Sequence, residues 1–431
     1  MDKLKVQLGV VEGQSHSLYG ELIGFPPTDI EYTSKKSFDV KRLARKNPLA
    51  ARFRWNSPAR FIAFSAFSLC LRETEARSTT KLPLRMNPFL HGPLYDSLYG
   101  GETTDFDVLH SAGSAMLERV PWIVRNDIKW MVDLEHVGSL FGIHGNWRRR
   151  IYDKSWRKLL TKQLASKYCR RILPWTEAAR ETIRNILPSK VLEEKTQVLR
   201  LAIRKAPSRP ANVGGHETVR ILFVGSANFQ REFWSKGGFE VLESYRRLRE
   251  RLGSSVELTF RCAIPDQFRK KYGDLPGITV VSDVLPRSSL DRLFWESDVF
   301  LFPAHNTPGL AFLEAMRFGL PVVAKDIWAN REIVKDGLTG FLVQPSLKIP
   351  YCLPGRVPNW SNDDGHFAPF MKIRDDRVID NLVECISRLV ESPSLRRRMG
   401  AAGIREVEEG DASIEKRNGQ LERIYRDAAE Y

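Results

Sequence analysis

From Ser297 to Val343 the chain alternates apolar and polar blocks that read strand, loop, helix, strand, loop, helix, strand. Asp298 to Phe302 is a short apolar run rich in Val and Phe, as a buried strand requires. Leu310, Leu313 and Met316 recur three apart, so one face of the following helix packs inward. Thr307 is placed to cap the first amides of that helix, and Pro308 suits its first helical position. Gly319 ends the helix, and Leu320 to Ala324 is the next strand.

The same alternation runs through most of the chain. In the first half it predicts strands over residues 4–10, Phe106–His110, Lys129–Leu134, Arg171–Pro174 and Gln197–Ala202. Pro58–Glu73 reads as a mostly buried helix, and Thr176 as the cap of another. Residues 203–218, rich in Pro, Gly and polar residues, form the clearest linker. Beyond it come strand Val219–Val224, helix Phe239–Leu252, strands Val256–Cys262 and Ile278–Ser282, and helix Ser288–Glu296. Residues 346–376 interrupt the pattern with an irregular stretch before an amphipathic helix marked by Val378, Leu382, Ile386 and Leu389. Such β–α alternation implies parallel sheets with right-handed crossovers. The expected organisation is an α/β Rossmann-like domain over 1–202, the linker 203–218, a second Rossmann-like domain over 219–410 and a terminal helix within 411–431.

Length permits this: 431 residues, 42% of them apolar, can bury two ordinary cores. No run of about 18 apolar residues is present to span a bilayer, and the first residues lack an apolar signal core. The five cysteines, Cys70, Cys169, Cys262, Cys352 and Cys385, are dispersed without C-x-x-C spacing. That argues for a reducing, cytoplasmic compartment and against zinc. The net charge of +15 favours an anionic partner: nucleotide phosphates, an acidic lipid surface or nucleic acid. No nucleic-acid motif accompanies it, so a nucleic-acid partner is not expected and a basic nucleic-acid-binding protein stands only as an alternative. Trp147 to Arg171 concentrates the positive charge, with Asp153 its one acidic residue. Tyr152, Trp156, Leu160, Leu164 and Tyr168 repeat every four residues there, which suits either domain packing or an amphipathic helix resting on an anionic membrane at its inner face.

The chemistry concentrates at the helix start near residue 308. A helix N-terminus at the carboxyl end of a parallel strand points free amides and partial positive charge into a crevice, which makes an anion site of Pro308, Gly309, Leu310 and Ala311. Gly309 admits a close approach of phosphate to the backbone. Glu314, further along, offers a carboxylate to a ribose diol or else simply faces solvent.

The run Asn306-Thr307-Pro308-Gly309-Leu310-Ala311-Phe312-Leu313-Glu314-Ala315-Met316, followed by Gly319-Leu320-Pro321-Val322-Val323, resembles the donor-site signature of retaining glycosyltransferases of the GT-B fold, family 4. The resemblance implies two Rossmann-like domains facing across a cleft. It also implies a nucleotide-diphosphate sugar as substrate with no separate cofactor, a glycan or lipid acceptor, and a terminal helix that crosses back to the first domain. In the family, two Glu residues flank the signature; the second is Glu314, expected on the ribose, and the first is replaced here by Asn306, which can hydrogen-bond a sugar without charge. Ser235-Lys236-Gly237 resembles the family's Lys-Gly, which makes Lys236 a phosphate ligand. Ser226 stands where the family has a diphosphate-binding Arg, and Arg231 is the substitute considered. Gly13 and Gly20 are the only glycines available for the family's N-terminal loop. His136, at the end of a first-domain strand, matches the family's sugar-side His. The resemblance further implies transfer with retention and without a metal ion, the departing phosphate taking the acceptor's proton. Asp105 and Asp107 spell the D-x-D of the other glycosyltransferase fold and are read as coincidence. The departures at Asn306 and Ser226 keep open a protein that binds nucleotide sugar without turnover.

Overall fold

A computed structural model describes residues 3–11, 17–35, 105–112, 127–141, 147–211, 217–225, 231–307, 309–360 and 366–430. The expected helix over Pro58–Glu73, together with Gly13, Ser226 and Pro308, lies outside them.

Two separate parallel sheets form the framework. The first has strands β1 (Leu4–Val11), β2 (Ile30–Lys35), β3 (Val108–Ala112), β4 (Trp130–Leu134) and β5 (Cys169–Pro174), in the order β2-β1-β3-β4-β5. The second has β6 (Val219–Val224), β7 (Val256–Arg261), β8 (Ile278–Val280), β9 (Val299–Leu301), β10 (Val322–Lys325) and β11 (Gly340–Val343), in the order β11-β10-β9-β6-β7-β8. β4 is buried along its whole length, as expected of a parallel strand covered on both faces. In the second sheet the strand order reverses between β6 and β9. Ligands of open α/β sheets bind in the crevice outside the carboxyl ends at such a point.

Each sheet has its own core. Phe223, Phe260, Phe300 and Phe302 stack through the second domain, with Phe223 and Phe260 ring centroids 4.7 Å apart. The first sheet is covered on one face by Leu160, Leu164, Ile183 and Ile186. On its other face lies the terminal helix Ile414–Glu430, whose Leu421, Ile424, Tyr425 and Ala428 pack with Val6, Tyr19 and Leu22. The last helix of the chain thus completes the first domain's core. It is tied there by Arg417, which donates to the carbonyl of Phe25 at 2.8 Å, and by Tyr425, 2.7 Å from His110.

Four local expectations are corrected. Trp147–Arg171 is not one helix: Trp147–Arg150 and Lys154–Ala165 are separated at Tyr152 and Asp153, because the Asp153 carboxylate accepts the amides of Ser155 and Trp156 and starts a new helix. Gln197–Ala202 is extended but forms no strand; only Thr196 bridges to β5, although the amides of Gln197 and Leu199 continue along it. Gly20 lies inside a helix, Ser17–Gly24, instead of a loop. The irregular stretch after residue 346 contains a small antiparallel pair, β12 (Cys352–Leu353) and β13 (Val357–Pro358). Its Val357 is fully buried among first-domain residues, so this arm reaches across the cleft. Asn185 donates to the carbonyl of Gly355 at 3.1 Å, and Arg148 Nε to Asn359 at 2.9 Å.

Candidate active site

The loop that leaves β9 carries the site. The amide of His305 donates to the carbonyl of Ser235 at 2.8 Å, which ties this loop to the turn bearing Lys236. Gly237 adopts φ +76°, and a Cβ there would lie 2.3 Å from the carbonyl oxygen of Pro303. Only glycine allows the two loops to touch so closely. Lys236 is thereby carried to the start of the helix Gly309–Arg317.

Between the domains lies a cavity of about 300 Å3. The second domain lines it with Lys236, Asn306, Thr307, Gly309, Leu310, Ala311, Glu314, Trp328 and Ile333; the first domain adds Glu135, Trp175 and Thr176, and Leu201 comes from the segment between them. One cavity therefore collects Asn306, Thr307, Gly309, Leu310, Ala311, Glu314 and Lys236, all singled out from the sequence. Pro308 is outside the described residues, as is the side chain of Arg231.

Individual side chains add detail. Thr307 does not cap its helix through its hydroxyl, which is buried without a hydrogen-bond partner; the same is true of Asn306 Oδ1. Both are thus unspent polar atoms on residues that line the cavity. Beside Gly309 the space for a Cβ is taken by Leu201, 2.6 Å away, and Ile333, so packing against Leu201 also demands glycine. Glu314 is not simply solvated: Arg287 Nη1 lies 2.5 Å from its carboxylate and Arg287 Nη2 2.6 Å from Asp291. Lys236 Nζ is 3.7 Å from the Glu232 carboxylate. Thr176 is committed, accepting the Ala179 amide at 3.1 Å as the cap of the helix Glu177–Ile186.

His136 is not among the cavity's lining residues. Its ring is buried beside Trp147 and edge-on to Trp328, with centroids 5.6 and 6.2 Å away, and its Nδ1 accepts the Gly138 amide at 3.0 Å. Burial, with Arg148 nearby, pushes its pKa down to about 3, so the imidazole is neutral. Its neighbour Glu135 lines the cavity instead. Burial outweighs Lys236 and the Trp360 indole there and pushes the carboxyl up to about 6. Asp105 and Asp107 stand before the amino end of β3, engaged with Lys5 at 2.9 and 2.8 Å, at the opposite edge from the strand ends that face the cleft.

Two supporting arrangements gave no sequence signal. Behind Asn306, His305 Nε2 lies 2.8 Å and Lys325 Nζ 2.9 Å from Glu240, and Tyr351 closes the group at 3.0 Å from His305 Nδ1. Burial alone would raise Glu240, but Lys325 and His305 prevail and hold it down at about 2. Beside the cavity, Glu332 of the second domain accepts the amides of Glu177 and Ala178 of the first at 2.7 and 2.8 Å.

Residues 218–348 match the family model described as Glycosyl transferases group 1. Over 129 residues the chain is 29% identical to an uncharacterised 41.2 kDa protein in the cps region of Klebsiella pneumoniae, covering 30% of this chain and about a third (33%) of that protein's length. The whole fold is similar to solved structures at low identity. A glycosyltransferase from Rickettsia africae superposes with a TM-score of 0.59 at 13% identity, covering 100% of both chains. Anabaena HepE in complex with UDP and glucose gives 0.58 at 11%, with 98% of each chain covered. Sucrose-phosphate synthase from Thermosynechococcus elongatus gives 0.56 at 15%, again with 98% of each covered. The fold is therefore the two-domain parallel α/β architecture of GT-B glycosyltransferases.

Proposed function

We propose that this protein is a glycosyltransferase that moves a sugar from a nucleoside diphosphate sugar to an acceptor hydroxyl on a glycan or lipid, with retention of anomeric configuration and without a metal ion. The carrying observation is the single cavity in which Lys236 and the helix start at Gly309–Ala311 face the first domain. A departing diphosphate needs positive charge as it leaves, and an ammonium with a helix N-terminus supplies it in place. Glu314 then holds the ribose through the oxygen that Arg287 leaves open. Asn306 and Thr307, which line the cavity, flank the transferred sugar. His136, neutral and packed behind Glu135, orients the sugar side of the wall without acting as a base. The solved relative carrying UDP and glucose supports a nucleotide sugar as the donor class.

Melting-temperature shifts with UDP-, GDP- and ADP-sugars identify the donor, and NMR of the product anomer tests retention. An inverted product, or activity lost to EDTA and restored by manganese, would refute the retaining, metal-free form. Donor binding with no product would favour the non-catalytic binding reading, which Asn306 motivates.

Acceptor access fits a membrane surface. Among the described residues no helix is long and apolar enough to cross a bilayer. Lys154, Lys158 and Lys162 form an exposed stripe on the helix Lys154–Ala165. Each adds about 1 kcal/mol near an anionic leaflet. Flotation with anionic vesicles that disappears in a triple Lys→Gln variant is the expected result; no flotation at low salt would exclude it.

A further inference from the structure

The groups that face the donor all belong to the second domain: Lys236, the helix start, Asn306 and Glu314. An acceptor has to enter along the opposite wall. Among the described residues, that wall offers two side chains able to accept a hydrogen bond, Thr176 and Glu135. Thr176 is already engaged with the Ala179 amide. Glu135 follows β4 directly, at the strand's carboxyl end, and is in no ion pair within 4 Å among the described residues. The other cavity carboxylate, Glu314, is held by Arg287. The groups that face Glu135 favour its charge only in part, and burial outweighs them. His136 on its own loop is neutral and engaged with Gly138; Arg148 bonds to Asn359; Lys236 across the cleft, with Glu232 at 3.7 Å, attracts the carboxylate without closing an ion pair; and Trp360, edge-on to Trp328, favours its ionised form through the indole. A half-buried carboxylate that closes no ion pair is destabilising, and such groups collect at functional sites.

We propose that Glu135 is the catalytic base on the acceptor side, accepting a hydrogen bond from the attacking hydroxyl and taking its proton. This rests on the glycosyl-transfer reading. In the step, the acceptor oxygen bonds to the anomeric carbon on the same face that the diphosphate leaves, so configuration is retained, as its O–H bond breaks toward the Glu135 carboxylate. The bond from the anomeric carbon to the diphosphate oxygen breaks, and its electron pair leaves with the nucleoside diphosphate. The proton goes to Glu135 instead of the departing phosphate. A carboxyl raised to about 6 is still ionised at neutral pH and is a stronger base than an ordinary Glu.

The test compares the wild type with Glu135→Gln. The donor is whichever of UDP-, GDP- or ADP-glucose raises the melting temperature most, and nucleoside diphosphate release is followed with octyl glucoside and with water as acceptors. The expected result is unchanged donor affinity by calorimetry and release slowed by 10²–10⁴-fold, the usual range for a lost base. The wild type should also show an acid limb near pH 6 that the variant lacks. Retained donor affinity shows the variant is folded. A second reading is thermal: because the native carboxyl binds its proton more tightly than the unfolded one, the wild type loses stability as pH rises from about 4.5 to 6. The variant should therefore melt higher than the wild type at pH 7.5 and equally below pH 4.5. Equal release rates and pH profiles in both proteins, or lost donor binding in the variant, would overturn the proposal while leaving glycosyl transfer intact. Donor binding with no release by the wild type would overturn both.

Discussion

Replacing Glu332 with Ala should loosen the two domains. The carboxylate sits on the short helix Asn330–Ile333 and spans the cleft to the first turn of the helix Glu177–Ile186. Its two oxygens accept the amides of Glu177 and Ala178 at 2.7 and 2.8 Å, and Arg200 lies 3.4 Å away. A helix start leaves four amides without intrahelical partners; here Thr176 satisfies Ala179, and the other domain satisfies the two before it. A hydrogen bond to a charged group contributes about 1.5–3 kcal/mol, and an anion at a helix N-terminus about 0.3–1 kcal/mol. Glu177 is exposed, so water replaces part of what is lost. The net cost for Ala should be roughly 1–2 kcal/mol, and for Gln about half, since one carbonyl acceptor remains. Chemical denaturation reads the cost. Spin labels on the two domains should report a broader distance distribution, and donor affinity should fall because Ile333, next in sequence, lines the cavity. An Ala variant with an unchanged midpoint and an unchanged distance distribution would refute the latch.

Other expectations follow from the same cleft. Lys325→Met strands Glu240 in the interior and should cost about 3–5 kcal/mol by denaturation. Because Glu240 is held down at about 2, its favourable contribution is present above pH 4.5 and lost as pH falls toward 2, so Glu240→Gln should flatten the acid limb of the stability curve. Glu314→Ala should weaken nucleotide-sugar affinity by about 1.5–3 kcal/mol in calorimetry, and unchanged affinity in a folded variant would remove Glu314 from the ribose. Asn306→Glu should weaken donor binding several-fold rather than strengthen it; tighter binding would contradict the charge balance argued below.

Much of the framework is legible in the chain because each element carries its own signal. Val219–Val224 is a strand with the bounds its apolar run implies, and the helix Gly238–Leu252 begins one residue before the pattern predicts. What escapes is decided by single residues or by distant partners. Asp153 divides the basic run because a local cap outcompetes a four-residue period. β12 and β13 have two residues each, too few for any periodicity. Gln197–Ala202 has strand composition, yet beyond Thr196 it pairs too irregularly to join the sheet. In the site, Asn306 to Glu314 could be found together because they are contiguous. Glu240, His305 and Lys325 could not, since each sits singly on a different element and only folding brings them within 3 Å. His136 attracted notice as a strand-end histidine, but the next turn folds its ring onto Trp147 and leaves Glu135 facing the cavity.

That exchange bears on Asn306. Among the described residues lining the cavity, Lys236 is the one cation and Glu135 and Glu314 are the two carboxylates. Glu314 is balanced from outside the cavity by Arg287, and Lys236 is partly balanced by Glu232. What remains is one anion in no ion pair, Glu135, attracted only in part by Lys236 and facing the place where a diphosphate sugar has to enter. A carboxylate at position 306 would add a second. Two like charges in one half-buried cavity repel each other more than they would in water, and both would repel the diphosphate. A carboxamide keeps the hydrogen-bonding capacity that a sugar hydroxyl needs and omits the charge. Behind it, the Glu240 anion is matched by Lys325 and His305, so the loop is held by a buried ionic cluster that projects no net negative charge toward the site. Within this chain, the neutral residue at 306 and the unpaired carboxylate at 135 are two sides of one arrangement: the negative charge sits on the acceptor wall, and the donor wall keeps its positive end free for the phosphates.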